Sequence, residues 1–475
     1  MPIALLLTVL LGAIYNSQNW DFYPSMDDIR CITASNSHVY FAVERGVYVF
    51  RRSNHRYERC LTEADGIEGE VWLCVWNPAR NDLYVATDGH LYRYIDATDR
   101  VAELSPPFDQ AHSIGIASGS VYFDTEKGLY RRGRNSPEFT QVSSAPDSTL
   151  WYGERDTLKP EDFTFLTPYY VTDEQLISRE IMLVYPDTRG RRLYVGLDRA
   201  GARVYSMRSG FPEHSLRLGP TGFDVDRIIG LDSRLWFLSR NMTVVLDSNE
   251  EWTHRRTMTG DLPSAEFRLL LGNVLDLRRT KGLNAVLPDS LGLWLATGDG
   301  LYSLGLKDKL TSVLKLNHSV NGLARIDSRL VFGTDYGLFA MSGESLAEIR
   351  DPYDRAGFGV FSIARTATGQ TWFGTVGGLL MLDANGNWEH IIPPGFDLSR
   401  EVTGLAAAGD MVFYDDGEGV TAWDSSDSLW YSIDASRGLP SGPVQALYAD
   451  DRYLWIASPG IISRLDYRAE LGLDD

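Results

Sequence analysis

One phrase recurs along this 475-residue chain, and it limits what the chain can fold into more than any other feature. Glycines stand at Gly300, Gly337, Gly378, Gly419 and Gly460, separated by 37, 41, 41 and 41 residues. The surroundings repeat as well: Leu293-Trp-Leu-Ala-Thr-Gly-Asp-Gly300-Leu-Tyr, Leu330-Val-Phe-Gly-Thr-Asp-Tyr-Gly337-Leu-Phe, and Thr371-Trp-Phe-Gly-Thr-Val-Gly-Gly378-Leu-Leu. Earlier copies begin at His38, Asp82 and Ser120, with a looser one at Arg192 and one at Arg234 that has lost its glycine. With the five from Gly300 onward, ten copies are counted. A fixed period of about 40 residues marks a stacked array whose units cannot bury an apolar face alone.

Residues 228–256 show what one unit contains. Ile228-Ile-Gly-Leu, Leu235-Trp-Phe-Leu and Thr243-Val-Val-Leu are short apolar runs. Trp252-Thr-His-Arg is a more polar fourth run. Asp232-Ser-Arg and Asp247-Ser-Asn separate them, residues that favour turns by bonding their own backbone. Four short strands per unit, apolar inside and polar outside, predict an all-β propeller of about ten four-stranded blades. The glycine before each third strand is expected to supply a positive φ at the hairpin. Trp252, Trp388 and Trp430 mark the fourth strands, but the last copy, Leu447 to Leu465, ends without one. Asn19-Trp20-Asp-Phe-Tyr supplies the missing strand, so residues 19–23 are expected to complete the final blade. That closure implies a single propeller, and it hides the edges an open blade would expose. Ten blades exceed the usual four to eight, so two smaller propellers are the alternative.

Residues 3–14 form an apolar run of signal-peptide length, so residues 1–17 read as a signal peptide and 18–475 as the propeller. A formal net charge of −19, with no basic stripe, argues against nucleic acid. The three cysteines, Cys31, Cys60 and Cys74, form no C-x-x-C pair. Free thiols are expected over a Cys60–Cys74 bridge. Two insertions break the period, near 145–179 and 269–289, and insertions in repeat arrays often carry binding. The first is aromatic and acidic. Tyr152, Phe163, Phe165, Tyr169 and Tyr170 are the candidate contact surface.

The stretch Ser362-Ile-Ala-Arg-Thr-Ala-Thr-Gly-Gln-Thr-Trp-Phe-Gly-Thr-Val-Gly-Gly-Leu resembles the bacterial two-component-regulator propeller repeat, and the likeness covers most of residues 28–467. The resemblance implies an exported bacterial propeller, often the sensor part of a histidine kinase. No kinase part follows Leu465 here, so the chain reads as a stand-alone propeller. The motif residues are structural in that family, and no site residues carry over.

The chemistry of the side chains adds little. The eight histidines are scattered, with no H-x-x-H or H-E-x-x-H. Asp383-Ala-Asn-Gly-Asn imitates a calcium loop, but Glu389 comes too early for a bidentate ligand. Asp415 and Asp416 point to opposite faces of a strand. No catalytic residue, cofactor or metal is assigned. The sequence therefore reads as a secreted, extracytoplasmic, non-enzymatic interaction scaffold or ligand-sensing module with a protein or glycan partner and no membrane span after signal removal. The alternative is a polysaccharide-active lyase or hydrolase with its site at the central channel.

Overall fold

A computed structural model describes residues 15–473 except 135, 157, 167–168, 174–175, 223, 232, 240–241, 257–282, 290–291, 306–309 and 344. The apolar run of residues 3–14, expected to belong to a signal peptide, and most of the second insertion lie outside the described residues.

The chain is all-β apart from short helical turns and one five-residue helix, Tyr467–Leu471. Among the described residues there are ten antiparallel sheets, eight of four strands and two of five. We number them 1 to 10, over residues 29–61, 71–104, 111–153, 170–216, 227–256, 283–315, 320–349, 360–391, 405–433 and 446–466. The unit parsed from sequence is sheet 5, with strands Arg227–Leu231, Arg234–Leu238, Met242–Leu246 and Trp252–Arg256. Second strands carry the densest burial. Val39 to Val43 show no exposed surface, and the same is true of Trp372 and Phe373. Burying each such side chain contributes about 1.5–3 kcal/mol.

Sheet 10 has three strands from its own copy and takes its fourth from the start of the described chain. Trp20–Pro24 pairs antiparallel with Ile461–Leu465, Trp20 opposite Leu465 and Pro24 opposite Ile461. The expected completion of the last blade is therefore present.

The expected positive φ is present at most of the repeat glycines but not at all of them. Gly128, Gly201, Gly300, Gly337, Gly378 and Gly460 have positive φ, but Gly46, Gly89 and Gly419 do not. At Gly46 a Cβ would lie 2.5 Å from the Leu61 carbonyl oxygen, and at Gly419 2.6 Å from that of Ile433. Those two glycines are needed because the fourth strand's last carbonyl passes over them, whatever the backbone angle.

The sheets do not pack in simple sequence order. Leu295 and Trp236 join sheets 5 and 6 in one core, Phe332 and Leu301 join 6 and 7, and Phe373 and Val331 join 7 and 8. Trp372 and Val412 join 8 and 9, and Phe413 and Ile456 join 9 and 10. The circuit then returns to sheet 5, because Phe237 and Ile228 pack with Trp455 and Ile462. Side chains at the starts of the first strands tie neighbours together. Arg227 Nε donates to Asn284 O (3.0 Å), Asn284 Nδ2 to Val320 O (2.8 Å), Asn321 Nδ2 to Val360 O (3.2 Å) and Ser362 Oγ to Val402 O (2.7 Å). Val225 N donates to Gln445 Oε1 at 3.1 Å, between sheets 5 and 10. A ring of ten in chain order would put sheet 4, not sheet 10, beside sheet 5.

Sheets 1 to 4 form a second group, which the chain builds after leaving Pro24 and before entering sheet 5. One core runs through sheets 1, 2 and 3, and sheet 1 also packs on sheet 4 through Phe41, Tyr194 and Val204. Two crossing segments link the groups. Asp27 in the first accepts from Arg217 Nη2 (2.9 Å) and Gly222 N (3.0 Å) in the second. The three cysteines are buried and free, and Cys31 Sγ donates to Cys74 O.

Candidate functional site

The insertion at 145–179 does not emerge as a free loop. Leu150–Gly153 pairs with Ala111–Ala117, the first strand of sheet 3, and Tyr170–Thr172 pairs with Ser178–Asp187, the first strand of sheet 4. First strands form the contacts between sheets, so both added strands lie on inner edges. Gly115 permits the first pairing, since a Cβ there would meet the Trp151 ring at 2.8 Å.

Leu150 and Tyr152 of the first added strand join residues of sheets 1, 2 and 4 around a depression of about 330 Å³. Trp76, Tyr152 and Tyr185 supply its aromatic side, and half-exposed Leu150 stands on its rim. Trp76 N donates to Thr33 Oγ1 (3.2 Å), and Tyr152 is hydrogen-bonded to Thr33. Burial pushes the Tyr152 and Tyr185 hydroxyls above the usual tyrosine range, so both remain neutral donors.

The opposite wall is ionic. Arg52 Nε donates to Asp187 Oδ2 at 2.7 Å, a second guanidinium nitrogen reaches Oδ1, and Nη1 donates to Ser35 O at 2.7 Å. The Asp187 side chain has no exposed surface. Burial pushes its pKa up, but Arg52 and the Gly190 N–H outweigh that and hold it below the usual carboxylate range. Gly190 N donates to Asp187 Oδ1 at 2.8 Å, and a Cβ on Gly190 would collide with that carboxylate. The ion pair thus fixes the turn that carries Arg189. A basic recess of about 590 Å³ adjoins the depression, and the two share Asn36, Arg52 and Arg189.

The five aromatic residues singled out from sequence are not brought together as one surface. Tyr152 is 6% exposed, in the core of sheets 1 to 3. Phe163 and Tyr169 pack against the core of sheet 4, while Phe165 and Tyr170 are exposed. Only Tyr152 lines the depression. Sequence reasoning missed Arg52, Asp187 and Arg189. Their signal was the arginine density of two turns, Arg51-Arg52 and Arg189-Gly-Arg-Arg192, in an otherwise acidic chain.

No family model and no curated protein sequence matches the chain. Solved structures do align. The extracellular domain of a protein designated a hybrid two-component system of B. thetaiotaomicron covers 94% of this chain and 69% of its own, at 12% identity and TM-score 0.40. PorZ, a surface component of the type-IX secretion system of Porphyromonas gingivalis, covers 94% and 87%, at 11% identity and TM-score 0.41. A virginiamycin B lyase from Staphylococcus aureus covers 60% and 93%, at 13% identity and TM-score 0.36. Among the described residues, no helix is long and apolar enough to cross a membrane.

Proposed function

We propose that the chain is a non-enzymatic, extracytoplasmic binding module built from two propellers. One has six blades, sheets 5 to 10, and is closed by Trp20–Pro24. The other has four blades, sheets 1 to 4, and is inserted after that strand. The closed circuit of cores from sheet 5 round to sheet 10 supports the first, and the packing of sheet 1 on sheets 2 and 4 supports the second. The ligand site is the depression at the mouth of the four-blade unit. One observation carries this reading: part of the sequence that interrupts the repeat, Leu150–Gly153, is laid on the inner edge of sheet 3, where Leu150 and Tyr152 shape a recess instead of decorating the outside. Rigid strands on every side suit recognition, since little ordering entropy remains to be lost on binding. A protein or glycan partner of the kind expected from sequence would present a small segment here.

The test is a calorimetric screen of oligosaccharides and peptides against the purified chain and against Leu150→Glu. That substitution alters the rim without removing core volume. A ligand that binds the parent and is weakened about tenfold or more by the rim charge supports the site. A ligand that is converted to product during titration overturns the non-enzymatic reading. A ligand bound equally by both proteins overturns the site.

A further inference from the structure

We propose that the basic recess beside the depression is an oxyanion site, taking a carboxylate, sulfate or phosphate group on the ligand's end. The inference deepens the site reading above and rests on it for the rest of the ligand. The recess is lined by Arg51, Arg52, Arg189, Arg192 and His38 with small polar residues, and no carboxylate lines it. That is notable in a chain of net charge −19. The acids paired with these side chains do not line the recess. Asp187 is enclosed beneath Arg52, Glu58 is held by Arg51 and His38, and Glu213 by Arg192.

The four guanidinium groups are not equally committed. Arg52 spends its donors on Asp187 and Ser35. Arg192 donates to Glu213 and to the Arg52 carbonyl. Arg189 is exposed, and its side-chain partner is the neutral Asn36 amide oxygen. A guanidinium paired only with an amide keeps most of its five donors and its full charge for an incoming anion, in a fork that matches a carboxylate or sulfate. The turn bearing it is held by Gly190 N on Asp187, so the fork is presented in place instead of being ordered on binding. Because Arg189 and Arg52 line both recesses, one ligand can set its anionic end here and its apolar face against Leu150 and Tyr185.

The probes are sodium sulfate, sodium phosphate and sodium glucuronate, titrated calorimetrically at constant ionic strength with chloride as the control. Their ranking separates the sources of the oxyanion. Saturable binding of at least one probe is expected. Arg189→Ala should weaken it about tenfold, as loss of a charge-assisted bond would, and Arg189→Lys should weaken it less. The melting temperature should stay unchanged. Arg350→Ala, a distant exposed arginine paired with Glu348, should leave binding intact. Absence of saturable binding by all three probes, or equal loss in both alanine variants, overturns the proposal. Leu150→Glu keeps the two readings apart. A ligand sensitive to Leu150→Glu but not to Arg189→Ala sinks the oxyanion site alone. Probe binding lost in Arg189→Ala, with no ligand found for the depression, sinks the depression alone.

Discussion

The Arg52 guanidinium grips Asp187 through both of its oxygens, joining the turn just after sheet 1's third strand, Gly46–Arg51, to the last residue of sheet 4's strand Ser178–Asp187. The carboxylate is fully enclosed, and the Arg52 side chain is partly buried, 14% exposed. Taking one partner away leaves the other as an uncompensated buried charge, at about 3–5 kcal/mol. Asp187→Ala is therefore expected to lower the urea midpoint strongly. The double variant Arg52→Met/Asp187→Leu should lose less than the sum of the single changes, since no charge is stranded. Equal midpoints for the parent and Asp187→Ala would show that the pair holds nothing together.

Much of this was legible in the sequence. The copies are periodic because each must present the same apolar faces to its neighbours, so Leu235-Trp-Phe-Leu and its counterparts could be placed on second strands at once. The missing Trp of the last copy pointed to Trp20 for the same reason. The order of packing was not legible. Nothing in the phrase distinguishes a copy that meets its chain neighbour from one that meets a remote copy, as Phe237 meets Trp455. The site was hidden for a related reason. Arg52 and Asp187 are 135 residues apart, and only the return of sheet 4 to sheet 1 brings them together. Aromatic richness in the insertion signalled importance, but the aromatics were recruited mainly for packing.

Acid should loosen the junctions before it reaches the carboxylates. Burial first, with Arg192 and His214 adding to it, lowers His55 from 6.5 to about 4, and its Nε2 faces the Tyr194 hydroxyl at 3.1 Å. Burial, and then Arg217, lowers His254 from 6.5 to about 3 against the support of the Gly219 carbonyl. Both imidazoles are neutral when folded, so between pH 6.5 and these values the unfolded chain binds more protons. Stability is full above pH 6.5 and falls as pH drops toward 4 and then 3. Asp187, held below the ordinary carboxylate range, adds a further loss below about pH 4. Urea midpoints measured from pH 8 to 4 should decline for the parent and decline less for His55→Phe. A parallel decline in the two proteins would rule out His55 as a source.

The two kinds of glycine in the repeat should separate under alanine substitution. Gly201 has φ +69°, and a Cβ there would strike the Leu216 carbonyl oxygen and lie 2.9 Å from the Arg217 Cβ. The backbone angle alone costs about 1–2 kcal/mol for a side chain, and the collision adds to it. Gly89 occupies the corresponding place in sheet 2 with no positive φ and nothing within 4 Å. Gly89→Ala is expected to be neutral or to stabilise by a few tenths of a kcal/mol through the unfolded chain, roughly the low end of that effect. Differential scanning calorimetry of the two variants decides it, and similar melting temperatures would refute the distinction.

The closing strand offers the sharpest test of the six-sheet circuit. Trp20, Phe22 and Tyr23 are each at most 4% exposed, and Trp20 stacks on Phe22 at 5.5 Å. The same strand is where the two groups of sheets meet, because Tyr57 Oη donates to Phe22 O (2.9 Å) and Tyr48 Oη to Pro24 O (2.5 Å). Trp20→Ala removes a large side chain from that shared core, at about 3–5 kcal/mol. A chain started at Ser25 would go further and leave Ile461–Asp466 as an unpaired apolar edge, open to pairing with another chain. It should elute as oligomers in size-exclusion chromatography, and a synthetic peptide of residues 15–24 added in trans should restore the monomer. A truncated chain that stays monomeric with an unchanged melting temperature would mean that sheet 10 does not need its borrowed strand.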